Sequence, residues 1–184
     1  AMRWLDRCAA RILPSRHFHV ILTIASEFHA LWRHNRRRMA ALLFAASRDT
    51  LMELLADPKY LGATPGIQMA LHDWSRSLSC HPHTHNLVSA GGIDENGRWK
   101  PITRDFLLPG AVLREIFRGK FTAMVETAWE RAEIDLPPGW DEAKMRQALR
   151  RARRKKWNVR IEAPYAHGKG VVNYLARYVC GGPI

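Results

Sequence analysis

Two groups of residues in this chain have types and spacings that could do chemistry. The first is "HPHTH" at 81–85, which packs His81, His83 and His85, three of the nine histidines, into five residues. Successive side chains of a strand point to opposite faces, so His83 and His85 would project together with Thr84 turned away. Two imidazoles placed in this way can bind one divalent ion. Neutral imidazole suits transition metals, and Mg²⁺ or Mn²⁺ is held by few protein ligands where phosphate completes the shell. The same spacing also fits solvent-facing histidines, so a third ligand would decide. The stretch just upstream offers His72, with Gln68 on its face and Asp73 on the other. In an antiparallel hairpin His72 could meet His83 and His85, but the register is not readable. His81 and Asp73 compete for the role, although Pro82 can break the strand before His81.

The second group is "NYLARY", where Tyr174 and Tyr178 stand four residues apart. On a helix that spacing puts both phenols on one face. It fits a pair of amphipathic core residues, and it also fits nucleophilic catalysis. A phenolate can attack a phosphodiester and hold the cut strand covalently. A free phenol titrates near pH 10, so something must stabilise the developing anion. A metal that also polarises the phosphate would do so, and Arg177 lies close in sequence.

The rest of the chain fits such chemistry. Lys plus Arg number 29 against 17 Asp plus Glu, a net charge of +12 with a pI near 10.4. An excess of this kind favours a polyanion, because each neutralised phosphate releases counterions. The basic residues cluster as "RHNRRR" at 33–38 and "RRARRKK" at 150–156. No apolar run approaches a membrane span, and "AMRWLDRC" lacks the apolar core of a secretion signal. Cys8, Cys80 and Cys180 form no CxxC pair and no disulfide framework, as expected of reduced thiols in the cytoplasm.

The elements that must position these groups read as a mixture. Strands are expected at 17–24, 67–75, 84–91 and 157–164, from β-branched and apolar runs. Helices are expected at 3–12, 28–56 and 110–133, from Asp141 as N-cap to about 153, and at 168–179. "DPKYLGATPG" reads as a loop and Asn96-Gly97 as a turn. An α+β fold follows, a central antiparallel sheet flanked by helices.

"LHDWSRSL", "HPHTHNLVSAGG" and "YLARY", in that order, resemble the two-tyrosine HUH transposases of rolling-circle insertion sequences, the group numbered ninety-one. "RHFHVILTIASEFHALWRHN" is similar to that family's first strand and following helix. The resemblance implies a fold like replication initiators and relaxases. It implies a metal-dependent single-strand DNA endonuclease and strand transferase working through a 5′-phosphotyrosine. His83 and His85 would be metal ligands with His72 as the third, for Mg²⁺ or Mn²⁺, and Tyr174 and Tyr178 the nucleophiles. Lys155, Lys156, Arg160 and Lys169 are candidates for the DNA backbone, and Trp74, Trp99 and Trp157 for stacking bases. The expected partner is single-stranded DNA at element ends and target, in a cytoplasmic, nucleoid-associated protein that could self-associate. Residues 1–184 read as a single nuclease domain, without the zinc segment and downstream region usual in the family. Two departures stand out: the middle residue of HUH, usually hydrophobic, is Thr84, and the chain ends soon after the tyrosines. A catalytically decayed DNA-binding domain and a three-histidine hydrolase using activated water are the competing readings.

Overall fold

In a computed structural model, the described residues are residue 10 and residues 12–75, 77 and 79–165. Their centre is a five-stranded sheet: β1 (His17–Thr23), β2 (Thr64–Trp74), β3 (Cys80–Ile93), β4 (Trp99–Pro101) and β5 (Val159–Ile161). The order is β2-β3-β1-β5, with β4 paired to the end of β3, and every pairing is antiparallel. Helices α1 (His29–His34), α2 (Arg36–Ala56), α3 (Gly110–Glu130) and α4 (Glu142–Arg154) complete the expected α+β architecture.

Alternation along β1 explains how the sheet sits. Phe18, Val20 and Leu22 are fully buried in the core, which sends His17, His19, Ile21 and Thr23 to the opposite face. The helices meet the core face. Phe28, Phe117, Phe121 and Trp157 form an aromatic cluster there, with the Phe117 and Trp157 rings 5.4 Å apart. Trp157 is 2% exposed and its indole N–H donates to Ala152 O, which makes it a core residue and not a base platform.

The elements differ from the sequence expectation in instructive places. The helix expected at 28–56 is broken at Asn35, whose φ of −122° is not helical. The Asn35 side chain bonds both backbone groups of Asp135, donating to O and accepting from N, each at 2.8 Å. The third strand is longer than the expected 84–91, because Pro82 does not end it. Proline lacks only the N–H, and its carbonyl still accepts from Ile24 N at 3.2 Å. The Asn96-Gly97 turn closes a hairpin onto β4, with Gly97 at φ +74°. Asp141 caps α4 by accepting from Lys144 N at 2.8 Å. The helices expected at 3–12 and 168–179 lie largely or wholly outside the described residues.

Candidate metal centre

Strand register builds the site. Across β2 and β3, His72 stands opposite His83, and Ala70 opposite His85. His83 and His85 share a face of β3, so three imidazoles meet on the side of the sheet away from the core. His85 Nε2 lies 3.1 Å from His83 Nε2 and 3.0 Å from His72 Nδ1. One ring nitrogen from each of the three lies within 4.8 Å of the others. That is the spacing of donors around a single ion, and an all-nitrogen set suits a divalent transition metal.

The protonation of the cluster fits the same use. Burial pushes His85 down to about 2 and His72 to about 4. His83 is also lowered, again by burial first. All three are therefore neutral at pH 7, with lone pairs to offer. His83 Nδ1–H donates to His81 O at 2.6 Å. A carbonyl can only accept, so the proton is fixed on Nδ1 and the lone pair on Nε2 faces the cluster.

The competitors for third place go elsewhere. Asp73 points to the other face, where its carboxylate accepts from Arg36 Nε at 2.6 Å. His81 lends its carbonyl to His83, and its own ring is not part of the cluster. Thr84 faces the core and is fully buried. Its hydroxyl bonds Ser47 of α2 at 2.9 Å and accepts from Asn86 Nδ2 at 3.1 Å, so the polar middle residue of "HTH" is satisfied.

The cluster opens into a cavity of about 300 Å³ lined also by Thr23, Trp74, Asn158 and Arg160. Arg160 is opposite Ile21, which is opposite His85, so one row of the sheet runs from the guanidinium to the cluster. Its side chain is 69% exposed and paired to Glu162 at 2.5 Å. Trp74 is half-exposed at the cavity rim. Lys155 is tied to Glu27 at 3.0 Å and to Ser26 Oγ at 2.9 Å, and Lys156 is exposed. Lys169, Tyr174, Arg177 and Tyr178 lie outside the described residues.

Sequence reasoning passed over His19. It is 3% exposed on β1, and its Nε2 lies 2.7 Å from His85 Nδ1. The signal was the alternation "HFH" at 17–19, which puts His19 on the face that carries the cluster.

Comparison with known proteins agrees with these features. The profile of a family described as "Putative transposase" matches residues 66–184, from β2 through the tyrosine segment. The chain belongs to this transposase family. The resemblance read from the motifs is borne out at that level. Over 181 residues, 96% of the chain, it is 33% identical to "Putative transposase y4qJ" of Sinorhizobium fredii, covering 46% of that protein. It is 28% identical over 173 residues, 90% of the chain, to the "Transposase for insertion sequence element IS801" of Pseudomonas savastanoi pv. phaseolicola, covering 39% of it. The chain thus spans less than half the length of these transposases. Among solved structures it is similar to the conjugative relaxase TrwC in a metal-bound complex with oriT DNA. That match has a TM-score of 0.47 and 11% identity, and covers 87% of this chain and 69% of the relaxase.

Proposed function

We propose that this chain is the metal-dependent single-strand DNA endonuclease and strand transferase of a rolling-circle transposase. The observation that carries the reading is the convergence of His72, His83 and His85 beside Arg160, in a chain of a transposase family. A divalent ion held by the three imidazoles would supply Lewis-acid polarisation of the scissile phosphate. We assign it as Mn²⁺ or Mg²⁺, with the all-nitrogen donors favouring Mn²⁺.

The chain's own residues do the rest. The phenolate of Tyr174 or Tyr178 attacks phosphorus and the P–O3′ bond breaks; the upstream strand leaves as a free 3′-OH, taking up the proton, and the downstream strand stays on the protein as a 5′-phosphotyrosine. The second tyrosine, or the freed 3′-OH, resolves that ester, so no nucleotide cofactor is needed. Arg160, exposed at the cavity, pairs with a backbone phosphate, and the rim indole of Trp74 suits stacking by an unpaired base. Lys155, Lys156 and Lys169 extend the basic surface. The substrate is single-stranded DNA at element ends, met in the cytoplasm at the nucleoid, with residues 1–184 acting as one nuclease domain.

The test is a labelled single-stranded oligonucleotide from an element end, incubated with the protein and Mn²⁺ and run on a denaturing gel. A covalent protein–DNA complex is expected, lost with EDTA and in the Tyr174→Phe, Tyr178→Phe double variant. Cleavage that survives that double variant would mean activated water, not tyrosine. Binding without any adduct would mean a domain that holds DNA and no longer cuts it.

A further inference from the structure

We propose that His19 is a positioning residue for the metal centre, the acceptor that sets which nitrogen of His85 faces the ion. The inference rests on the metal reading above and adds a residue to it.

His83 and His85 differ in what faces their second ring nitrogen. An imidazole offers a lone pair from one nitrogen only if its proton is on the other. For His83 the question is closed by the His81 carbonyl, which accepts from Nδ1–H. At the corresponding nitrogen of His85 stands another imidazole. Its Nε2 points at His72 and His83, and its Nδ1 lies 2.7 Å from His19 Nε2. For Nε2 to donate a lone pair to an ion, the His85 proton must sit on Nδ1 and be given to His19. His19 Nε2 then accepts, and His19 carries its own proton on Nδ1.

The fold holds His19 ready for this. It projects from β1 on the cluster's face, buried, with its ring end to end with that of His85, 5.0 Å between centroids and 20° between planes. The strand pairing that supports it is continuous, from His17 opposite Ser89 to Thr23 opposite His83. The hydrogen bond lies near the plane of both rings and fixes the His85 tautomer. An acceptor behind a ligating imidazole also raises the basicity of the ligating nitrogen.

The experiment measures Zn²⁺ affinity by competition with a chelating dye, without DNA, in the unmodified protein and in His19→Phe, His19→Gln and His83→Ala. Phenylalanine keeps the ring and removes the acceptor; glutamine loses the ring but has a carbonyl that can accept. His19→Phe is expected to weaken Zn²⁺ binding about 10- to 100-fold, the usual cost of losing such a partner. His19→Gln should recover most of that loss. Equal affinity in folded His19→Phe overturns the proposal, as does a glutamine variant no better than phenylalanine, since an acceptor would then restore nothing. Should His19→Phe fail to fold, ¹⁵N-histidine NMR of the unmodified protein with Zn²⁺ gives an independent answer. The His85 Nδ1 resonance is expected at the protonated position with its proton coupled toward His19; an unprotonated Nδ1 overturns the assignment. If the unmodified protein binds no more Zn²⁺ than His83→Ala, the metal reading itself fails and takes this one with it.

Discussion

At the scale of the residue, the decisive fact is that the cluster histidines, His83 and His85 buried and His72 half-buried, are held neutral by desolvation. His72 ordinarily titrates at 6.5 and is pushed down to about 4, and His85 to about 2. Below pH 6.5 the unfolded chain therefore takes up protons that the folded chain refuses. Unfolding binds protons in that window, so stability falls as pH falls. With EDTA present, the melting temperature is expected to decline steadily from pH 7.5 toward pH 4, and the slope to be shallower in His72→Gln. A flat profile would mean that the imidazoles are not desolvated in solution. The legibility of these residues differed for physical reasons. His83 and His85 were readable because strand parity is local and fixes a shared face. His72 was only a candidate, since hairpin register depends on irregularities such as the shift between His72 and Trp74, which no local pattern announces. His19 was missed because its partner lies 66 residues away, and only the pairing of β1 with β3 brings them together.

At the scale of the element, β3 depends on two devices, one polar and one steric, that hydropathy alone would have counted against a core strand. Thr84, Ser47 and Asn86 form a buried network that joins the histidine-bearing strand to α2. Thr84→Val leaves the Ser47 hydroxyl and the Asn86 amide each short of a partner, at a cost of about 1–3 kcal/mol. Urea unfolding of Thr84→Val, Ser47→Ala and the double variant checks this. The double variant should lose less than the sum, because removing both hydroxyls strands fewer groups. The other device is the paired glycine at 91–92. A Cβ on Gly92 would sit 2.5 Å from Thr64 O, and one on Gly91 would sit 2.4 Å from the Trp99 ring. The first collision is with backbone that cannot step aside. Gly92→Ala is therefore expected to loosen the pairing of β2 with β3 and lower the melting temperature, whereas Gly97→Ala meets nothing and pays only for its positive φ. "SAGG" was readable as a strand end; the reason for its glycines was not, because Thr64 and Trp99 arrive from either side in sequence. The break at Asn35 was equally hidden, since the apolar pattern runs through it and the Asp135 backbone that holds it lies 100 residues on.

At the scale of the whole molecule, composition points to a polyanion as the partner to test, and the fold shows which cations would be left for it. Arg38, Arg153, Lys120 and Lys155 are spent on inter-element ion pairs with Glu133, Glu126, Glu53 and Glu27. Among the described residues, Arg33, Arg37, Arg150, Arg151, Arg154 and Lys156 are exposed and join no ion pair. Among the same residues, no helix is long and apolar enough to cross a membrane. Among the described residues Arg160 is the Lys or Arg that lines the cavity beside the histidines, and in its pair with Glu162 the guanidinium is 69% exposed and the carboxylate half-buried. Such pairs are worth about 1 kcal/mol or less, so a phosphate can replace the carboxylate at little cost. This separates binding from cutting in a measurable way. Affinity for single-stranded DNA, followed by anisotropy in EDTA, is expected to persist and to fall linearly with log salt, each phosphate contact adding about 0.7 to the slope. Arg160→Gln should lower that slope by about one contact's worth and leave the melting temperature nearly unchanged. A slope identical to that of the unmodified protein would mean that Glu162 keeps the guanidinium and the DNA backbone runs elsewhere on the basic surface.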